Sequence, residues 1–427
     1  MTAVLTEPAR QRAHAGTEPM RLLSVNNYHY RRGGAEVVFL EHNRLMRETG
    51  WDVTSFAMKH PKNLPSDSQA SFVDEIEFGQ SYGMLRTLRQ AATLIYSFEA
   101  RAKLRPLIAA QRPDVAHVHN IYHHISPSFL PLLKQAGIPV VMTLHDLKIA
   151  CPAYTMLSQG KVCERCRGGR IYNVAVRRCV KNSIALSGLV MVETLIHRML
   201  DIYDRNVDRF VVPSRFYIDK LVEWGWPRER FVHIPNFVDV NDFTPSHLPG
   251  EGFLYVGRLS PEKGLDTLIK AAAKAGQRVS LVGSGAMEPQ LRSLAAETGG
   301  DVRFLGYLTG EGLHEAIRSS RAVVLPSTWY ENGPISLMEA YALGRPVIGT
   351  RIGGIPEMVR EDVTGLIVPP SDADALAAAM ARLAAMPAEP AAAMSRAARA
   401  LVEDEFSVER YRSRILSLYA DIARGPT

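Results

Sequence analysis

Glu331 and Glu339 stand eight residues apart in Pro326-Ser-Thr-Trp-Tyr-Glu331-Asn-Gly-Pro334-Ile335-Ser336-Leu337-Met-Glu339-Ala. A short apolar run ends just before this segment, at Leu325. Pro334 suits the first position of a helix, because its ring presets φ and it has no N–H to leave unbonded. The amides of Ile335, Ser336 and Leu337 would then point out of the helix end, where an anion such as a diphosphate can sit. A carboxylate at either glutamate can accept two hydrogen bonds from a diol. A second segment, Tyr255-Val-Gly-Arg258-Leu-Ser-Pro-Glu-Lys263-Gly, places a planar guanidinium and a compact ammonium after another apolar run. Both cations suit phosphate oxygens. Taken singly, each feature is as well explained by solvated or capping side chains.

Further segments carry polar groups at strand ends. Thr143-Leu-His145-Asp146 closes one apolar run, and Gly33-Gly34 follows another with no side chain to keep a ligand from the backbone. His117, His119, His123 and His124 cluster after a third and read as cleft-lining or loop residues rather than metal ligands. Gly283-Ser-Gly285 lacks the third glycine of a dinucleotide fingerprint, since Glu288 stands there, and reads as a tight turn. Asp372-Ala-Asp374 follows two prolines and opens an Ala-rich stretch, so it reads as acid at a helix start.

The elements that must position these groups are short. Apolar strands are expected at Arg21–Val25, Val53–Met58, Val115–Val118, Pro139–Leu144 and Arg209–Val212. A second series follows at Gly252–Val256, Val279–Val282, Val302–Leu305, Ala322–Leu325 and Val347–Gly349. Helical patterns alternate with them, which predicts parallel α/β sheets. The chain is long enough for two or three domains, and Pro235, Pro245, Pro249 and Gly250 mark a linker. The expected organisation is a loose tail at 1–19, an N-terminal α/β domain at 20–240 and a second one at 250–405. A C-terminal helix at 406–427 would pack back toward the first domain. Two doubly wound domains around a linker leave a cleft, with ligands at the carboxyl ends of the strands. The Ala-rich stretch 373–400 reads as surface helices.

Composition excludes other classes. The chain is 46% hydrophobic and 22% charged, unlike a disordered, collagenous or disulfide-dense protein. The strongest apolar run, Ile184 to Val192, is broken by Glu193 and is too short to span a bilayer. No signal peptide is read in residues 1–19. Residues 1–240 hold 31 Lys and Arg against 22 Asp and Glu, a net +9, whereas the rest carries −3. The basic half suggests an anionic partner.

Together, in this order and spacing, the segments resemble the retaining glycosyltransferases of family 4, which have the GT-B fold. The resemblance runs from about Arg21 to Val368. It rests on Gly33-Gly34-Ala-Glu36, His145-Asp146, Val212-Pro-Ser214, Ile234-Pro-Asn236, Gly257-Arg258 with Lys263, and Glu331-x7-Glu339. Gly344-Arg-Pro-Val and Gly353-Gly354-Ile-Pro-Glu357 complete it. It implies transfer of a sugar from a nucleoside diphosphate to a hydroxyl, with retention and no catalytic divalent metal. Arg258 and Lys263 would hold the diphosphate, Glu339 the ribose and Glu331 the transferred sugar. Ile335 and Ser336 would offer backbone amides, Gly33 and Gly34 would approach the donor phosphate, and His145 would meet the sugar near its reacting carbon. The catalytic set would be His145, Arg258, Lys263 and Glu331. A nucleotide-sugar epimerase or a phosphorylase of the same architecture is the enzyme alternative, and the latter lacks an obvious pyridoxal phosphate lysine.

All four cysteines lie in one segment, Cys151, Cys163, Cys166 and Cys179, read as an insertion in the first domain. Cys163-x2-Cys166 has the spacing of a structural zinc turn, which favours a zinc site over buried thiols or disulfides. Lys161, Arg165, Arg167, Arg170, Arg177, Arg178 and Lys181 make the same segment basic. A glycan or lipid-linked acceptor, an anionic membrane surface and a cytoplasmic, peripheral location are expected partners and place. The stretch Ile184–Leu200 is read as core packing, with acceptor or membrane contact as the alternative. Nucleic-acid binding through the cysteine segment would leave two α/β sheets unexplained, and only Tyr154 and Tyr172 are there to stack on bases.

Overall fold

The computed structural model describes residues 18–75, 92–122 and 124–423. Most of the expected 1–19 tail and the last four residues of the expected C-terminal helix lie outside these, as does His123. The strands are β1 (Arg21–Val25), β2 (Asp52–Phe56), β3 (Val115–Val118), β4 (Val140–Thr143), β5 (Leu157–Ser158), β6 (Lys161–Val162), β7 (Arg209–Val212) and β8 (Phe231–His233). They continue with β9 (Phe253–Val256), β10 (Val279–Val282), β11 (Val302–Gly306), β12 (Ala322–Leu325), β13 (Val347–Thr350) and β14 (Gly365–Val368). One sheet runs β2-β1-β3-β4-β7-β8 and the other β11-β10-β9-β12-β13-β14. Both are the doubly wound orders in which the winding reverses at one point, β1/β3 in the first and β9/β12 in the second. Residues 235–250 separate β8 from β9.

The described residues fall into two compact units. One is Met1–Thr143 with Leu195–Phe210 and Tyr419–Thr427, and the other is Leu144–Thr194 with Val211–Leu418. In the second unit the sheet is buried on both faces, as parallel sheets are. Phe253 and Tyr255 of β9 join one apolar cluster while Leu254 joins the opposite one, and Ala322 and Val324 of β12 oppose Val323 and Leu325. The Ala-rich helices Ala373–Ala384 and Ala388–Glu405 close those clusters. Leu376, Met380, Leu383 and Leu401 are buried in them. They are surface helices, as read from the sequence, with one face buried on the sheet while Ala378, Ala381, Arg396 and Glu403 are exposed on the other. Asp372 caps the first of them, accepting from the amides of Asp374 and Ala375.

The strands β8 and β14 and the two-residue hairpin β5–β6 were not expected from the sequence. Each is too brief for a period to show. The hairpin belongs to the inserted segment, which leads into the helix Ile184–Met199. Lys148 anchors this segment. Its ammonium lies 2.8 Å from Glu193 and donates to the Pro152 carbonyl at 2.9 Å, with its side chain 3% exposed and that of Glu193 0%. A buried pair costs desolvation to form, but removing one partner strands the other. Lys148→Met is therefore expected to destabilise the protein by about 3–5 kcal/mol. Lys148→Met with Glu193→Leu should recover most of that, and denaturant midpoints that fail to separate the two variants would contradict the assignment.

Candidate functional site

The reversal point of the second sheet brings the two charged segments together. Arg258 and Lys263 follow β9 and Glu331 follows β12, its neighbour in the sheet. Lys263 Nζ lies 2.7 Å from Glu331 Oε1, which also accepts from Ser327 Oγ at 2.6 Å. Glu331 is 7% exposed. Burial would raise its carboxyl, but the charge and hydrogen bond of Lys263, with the bond from Ser327, hold it below the usual carboxylate range. The Lys263 ammonium also stands 5.1 Å from the Trp329 ring centre. Arg258 is different in kind. Its side chain is 72% exposed, and its ion-pair partner among the described residues is Glu262, at 3.4 Å. One cation is thus locked to the site's carboxylate and the other projects into solvent, able to reorient onto an incoming anion.

Past Glu331 the helix runs Ile335–Ala342. Pro334 is its cap (φ −67°, ψ 122°) and not its first residue. The Leu337 amide donates to the Pro334 carbonyl at 3.1 Å, so that group is spent. Ile335 and Ser336 remain as the first two amides of a half-buried helix end, with Glu339 one turn further in.

The loop carrying Glu331 is held by residues that never touch Lys263. Tyr217 Oη donates to the Tyr330 carbonyl at 2.8 Å, and Asn236 Nδ2 to that of Gly333 at 2.9 Å. Ser214 Oγ donates to Asn332 Oδ1 at 2.9 Å, while Asn332 Nδ2 donates to the Leu144 carbonyl at 2.7 Å. Gly354 donates its amide to the Glu331 carbonyl. A Cβ on Gly353, whose φ is +59°, would lie 2.4 Å from the Glu331 nitrogen. Glu357 accepts from the amides of Arg215 and Phe216 at the start of the helix Arg215–Glu223. The Ser214, Asn236 and Gly353-Gly354 segments therefore serve to fix the Glu331 loop.

His145 and Asp146 follow Leu144 and so enter the same neighbourhood. Burial lowers the His145 imidazole to about 4, leaving it neutral near pH 7. Burial raises the Asp146 carboxyl to about 6, against the amide and charge of Lys148. Glu164 also arrives from the inserted segment, accepting from Tyr330 Oη at 2.7 Å and pairing with Lys220 at 3.0 Å. Glu164, Tyr217 and Asn332 were not among the site residues expected from the sequence, and Asp146 was expected there only as part of the His145-Asp146 segment. Gly33 and Gly34 lie in the other unit, at the start of the helix Gly34–Glu48. Gly33 is extended, with φ −164°, a conformation open to any residue, so its own turn does not demand glycine.

Residues 32–242 match the family described as Glycosyltransferase Family 4, and residues 245–401 match Glycosyl transferases group 1. In three dimensions the chain is similar to sucrose-phosphate synthase from Thermosynechococcus elongatus, with a TM-score of 0.70, 23% identity, and 94% of this chain and 99% of that one covered. It is also similar to HepE from Anabaena in complex with UDP and glucose, with a TM-score of 0.63, 19% identity, and 94% and 100% covered. The fold is GT-B. In sequence, the chain is 35% identical over 238 residues to a GDP-mannose-dependent monoacylated alpha-(1-6)-phosphatidylinositol monomannoside mannosyltransferase of Corynebacterium glutamicum. That match covers 50% of this chain and 62% of the relative, so the chain spans less than two thirds of that curated relative.

Within this GT-B chain two expectations change. Burial pushes the Cys151 thiol up to about 12, with Cys166 and Cys179 close enough to add to it, and Cys179 in turn feels Cys163. The four cysteines form no disulfide and gather in one region. Among the described residues, however, no group of three or more His, Cys, Asp or Glu is arranged to hold a metal, so the expected zinc site at Cys151, Cys163, Cys166 and Cys179 is not supported. His117, in β3, and His119, directly after it, are core residues rather than loop or cleft-lining groups, whereas His124 lies in the turn beyond. His117 and His119 are fully buried and stacked, 4.5 Å between ring centres. His117 meets Tyr419 Oη at 2.5 Å and Thr143 Oγ1 at 2.7 Å. Gly283 and Gly285 are demanded by packing, since a Cβ on either would strike the carbonyls of Gly257 and Leu259.

Asp146 supplies a test by pH. Its folded pKa of about 6 lies above the ordinary value of about 3.9. The neutral acid is therefore favoured in the folded chain. That contribution is whole below about pH 4 and is lost as pH rises through 6, amounting to up to about 3 kcal/mol by pH 7. Asp146→Asn keeps the side chain neutral throughout. The variant should match the parent in urea midpoint at pH 4 and exceed it at pH 7, and parallel curves for the two proteins would contradict the raised carboxyl.

Proposed function

We propose that this protein is a retaining glycosyltransferase that moves a sugar from a nucleoside diphosphate to a hydroxyl of a glycan or lipid-linked acceptor. The observation that carries the reading is the Lys263–Glu331 pair at the sheet's reversal point, beside the Ile335–Ser336 helix end and the exposed Arg258. Lys263 and Arg258 take the diphosphate oxygens, and the Ile335 and Ser336 amides add donors aimed at the same charge. Glu331 accepts hydroxyls of the transferred sugar with the oxygen that Lys263 leaves open. Glu339 holds the ribose. Neutral His145 is able to donate or accept a hydrogen bond at the sugar near the breaking bond.

The charge that grows in the transition state is on the departing diphosphate, which Lys263 and the helix end face already in place and which Arg258 reaches by reorienting. Two cations and a helix end supply there the positive charge that a divalent metal would otherwise bring. Retention follows if the acceptor hydroxyl attacks from the face the diphosphate leaves, its proton passing to a diphosphate oxygen. No protein nucleophile enters that scheme, and the protein's part is alignment and charge. The name of the Corynebacterium glutamicum relative, with its GDP-mannose donor and phosphatidylinositol mannoside acceptor, supports a nucleotide-sugar donor and a lipid-linked acceptor. The UDP held by HepE supports the same donor class with another base.

A panel of UDP-, GDP- and ADP-sugars should contain a donor that raises the melting temperature by mass action. With that donor, Arg258→Ala is expected to lose on the order of 100- to 1,000-fold in transfer rate while its melting temperature holds, because its side chain is in solvent. Lys263→Met should lose as much and also melt lower, because it strands the buried Glu331. Turnover unaffected in both purified variants would refute the site, and activity abolished by a chelator would refute the metal-free scheme.

A further inference from the structure

The helix Ile184–Met199 is inside out for a surface helix. Its buried side carries Ser187, Glu193, Thr194 and His197 around Val190. Ile184, Val192, Leu195 and Met199 are 39–74% exposed. At about 100° per residue these four fall on one stripe, with the half-buried Met191 beside them. The core-packing expectation for this stretch is thus reversed.

The polar contacts explain why the helix cannot simply roll over. Ser187 Oγ accepts from the Val180 amide at 3.0 Å, and Glu193 is paired with Lys148. Rolling the apolar stripe inward would carry Glu193 away from its buried cation. An apolar stripe held outward by an ion pair is left to find an apolar partner elsewhere.

Charge around the stripe narrows that partner. Arg177, Arg178 and Lys181 lie on the segment entering the helix, and Arg198 is in its last turn. Among the described residues neither the Arg178 guanidinium nor the Lys181 ammonium has a carboxylate partner. The helix's one acid, Glu193, is buried. No helix of the described residues is long and apolar enough to cross a membrane. A short helix with an apolar stripe and cations at its ends suits the plane of an anionic bilayer, the stripe among acyl chains and the cations at lipid phosphates.

We propose that the helix Ile184–Met199, with Arg177, Arg178 and Lys181, docks this protein on a membrane surface rich in anionic lipid. The purpose rests on the lipid-linked acceptor proposed above, which such docking would bring within reach, but the docking itself needs no substrate. The full chain, without nucleotide sugar, is to be sedimented with vesicles of phosphatidylcholine alone and of phosphatidylcholine mixed with phosphatidylglycerol. It should bind the mixed vesicles at low salt and leave them at high salt.

Arg177→Ala/Arg178→Ala/Lys181→Ala should weaken partitioning on the order of 100-fold, about fivefold for each cation. Val192→Asp/Leu195→Asp should abolish binding with the circular dichroism spectrum and melting temperature kept, since both side chains are already in solvent. Equal binding of the parent and the Asp variant would overturn the proposal, as would equal binding to the two vesicle types. A concentration-dependent dimer that the Asp variant dissociates, without vesicle binding, would assign the stripe to a second copy and overturn it too. Failure here with intact transfer to a soluble acceptor leaves the glycosyltransferase reading standing, and vesicle binding without any stabilising donor does the reverse.

Discussion

Lys263 and Glu331 come from the loops after two neighbouring central strands, β9 and β12, of a parallel sheet, and their contact is the constraint around which the second unit's site is arranged. A carboxylate 7% exposed would ordinarily take up a proton. It stays charged because an ammonium 2.7 Å away compensates it, and the ammonium can do so only while the loop after β12 keeps its place. That explains the number of groups spent on the loop's backbone. Tyr217 holds the Tyr330 carbonyl, Gly354 that of Glu331, and Asn236 that of Gly333. Asn332 is fixed from both sides, by Ser214 and by the Leu144 carbonyl.

The same constraint sorts the two cations by duty. Lys263 cannot be removed without stranding a buried charge, so its roles in stability and in ligand binding are coupled. Arg258 has no such coupling. Its guanidinium is in solvent with one weak partner, and the structure loses little when it swings. A site that must close on a diphosphate benefits from one cation already in place and one that arrives with the ligand.

A second buried pair, Lys148 with Glu193, governs the inserted segment in a parallel way. There the ion pair turns a helix's polar side inward and so presents its apolar side to solvent. Glu164 links the insertion to the Glu331 loop through Tyr330, so the segment that carries the cysteines also bears on the site. The cysteines are close neighbours without forming a ligand set among the described residues.

By itself the sequence determined most of the long-sheet strands and helices and the candidate residue types of the site. Runs such as Val115–Val118, Val279–Val282 and Ala322–Leu325 are strands in the structure with the bounds read from their apolar content, because a strand buried on both faces leaves no ambiguity of period. Arg258, Lys263, Glu331 and the helix end at Ile335 were legible because their chemistry is local to short segments that follow strands. What only the tertiary structure decided is who meets whom. No spacing announces that Lys263 pairs with Glu331 across 68 residues, that Asn332 reaches back to Leu144, or that Glu164 finds Tyr330. Nor could periodicity say which face of Ile184–Met199 turns inward. Hydrophobicity alone favoured the apolar stripe, and a buried ion pair with a residue 45 positions away outweighed it. The physical reason is the same in each case. Desolvating a charge costs more than exposing a few methyl groups, and only the folded chain shows where each charge has its partner.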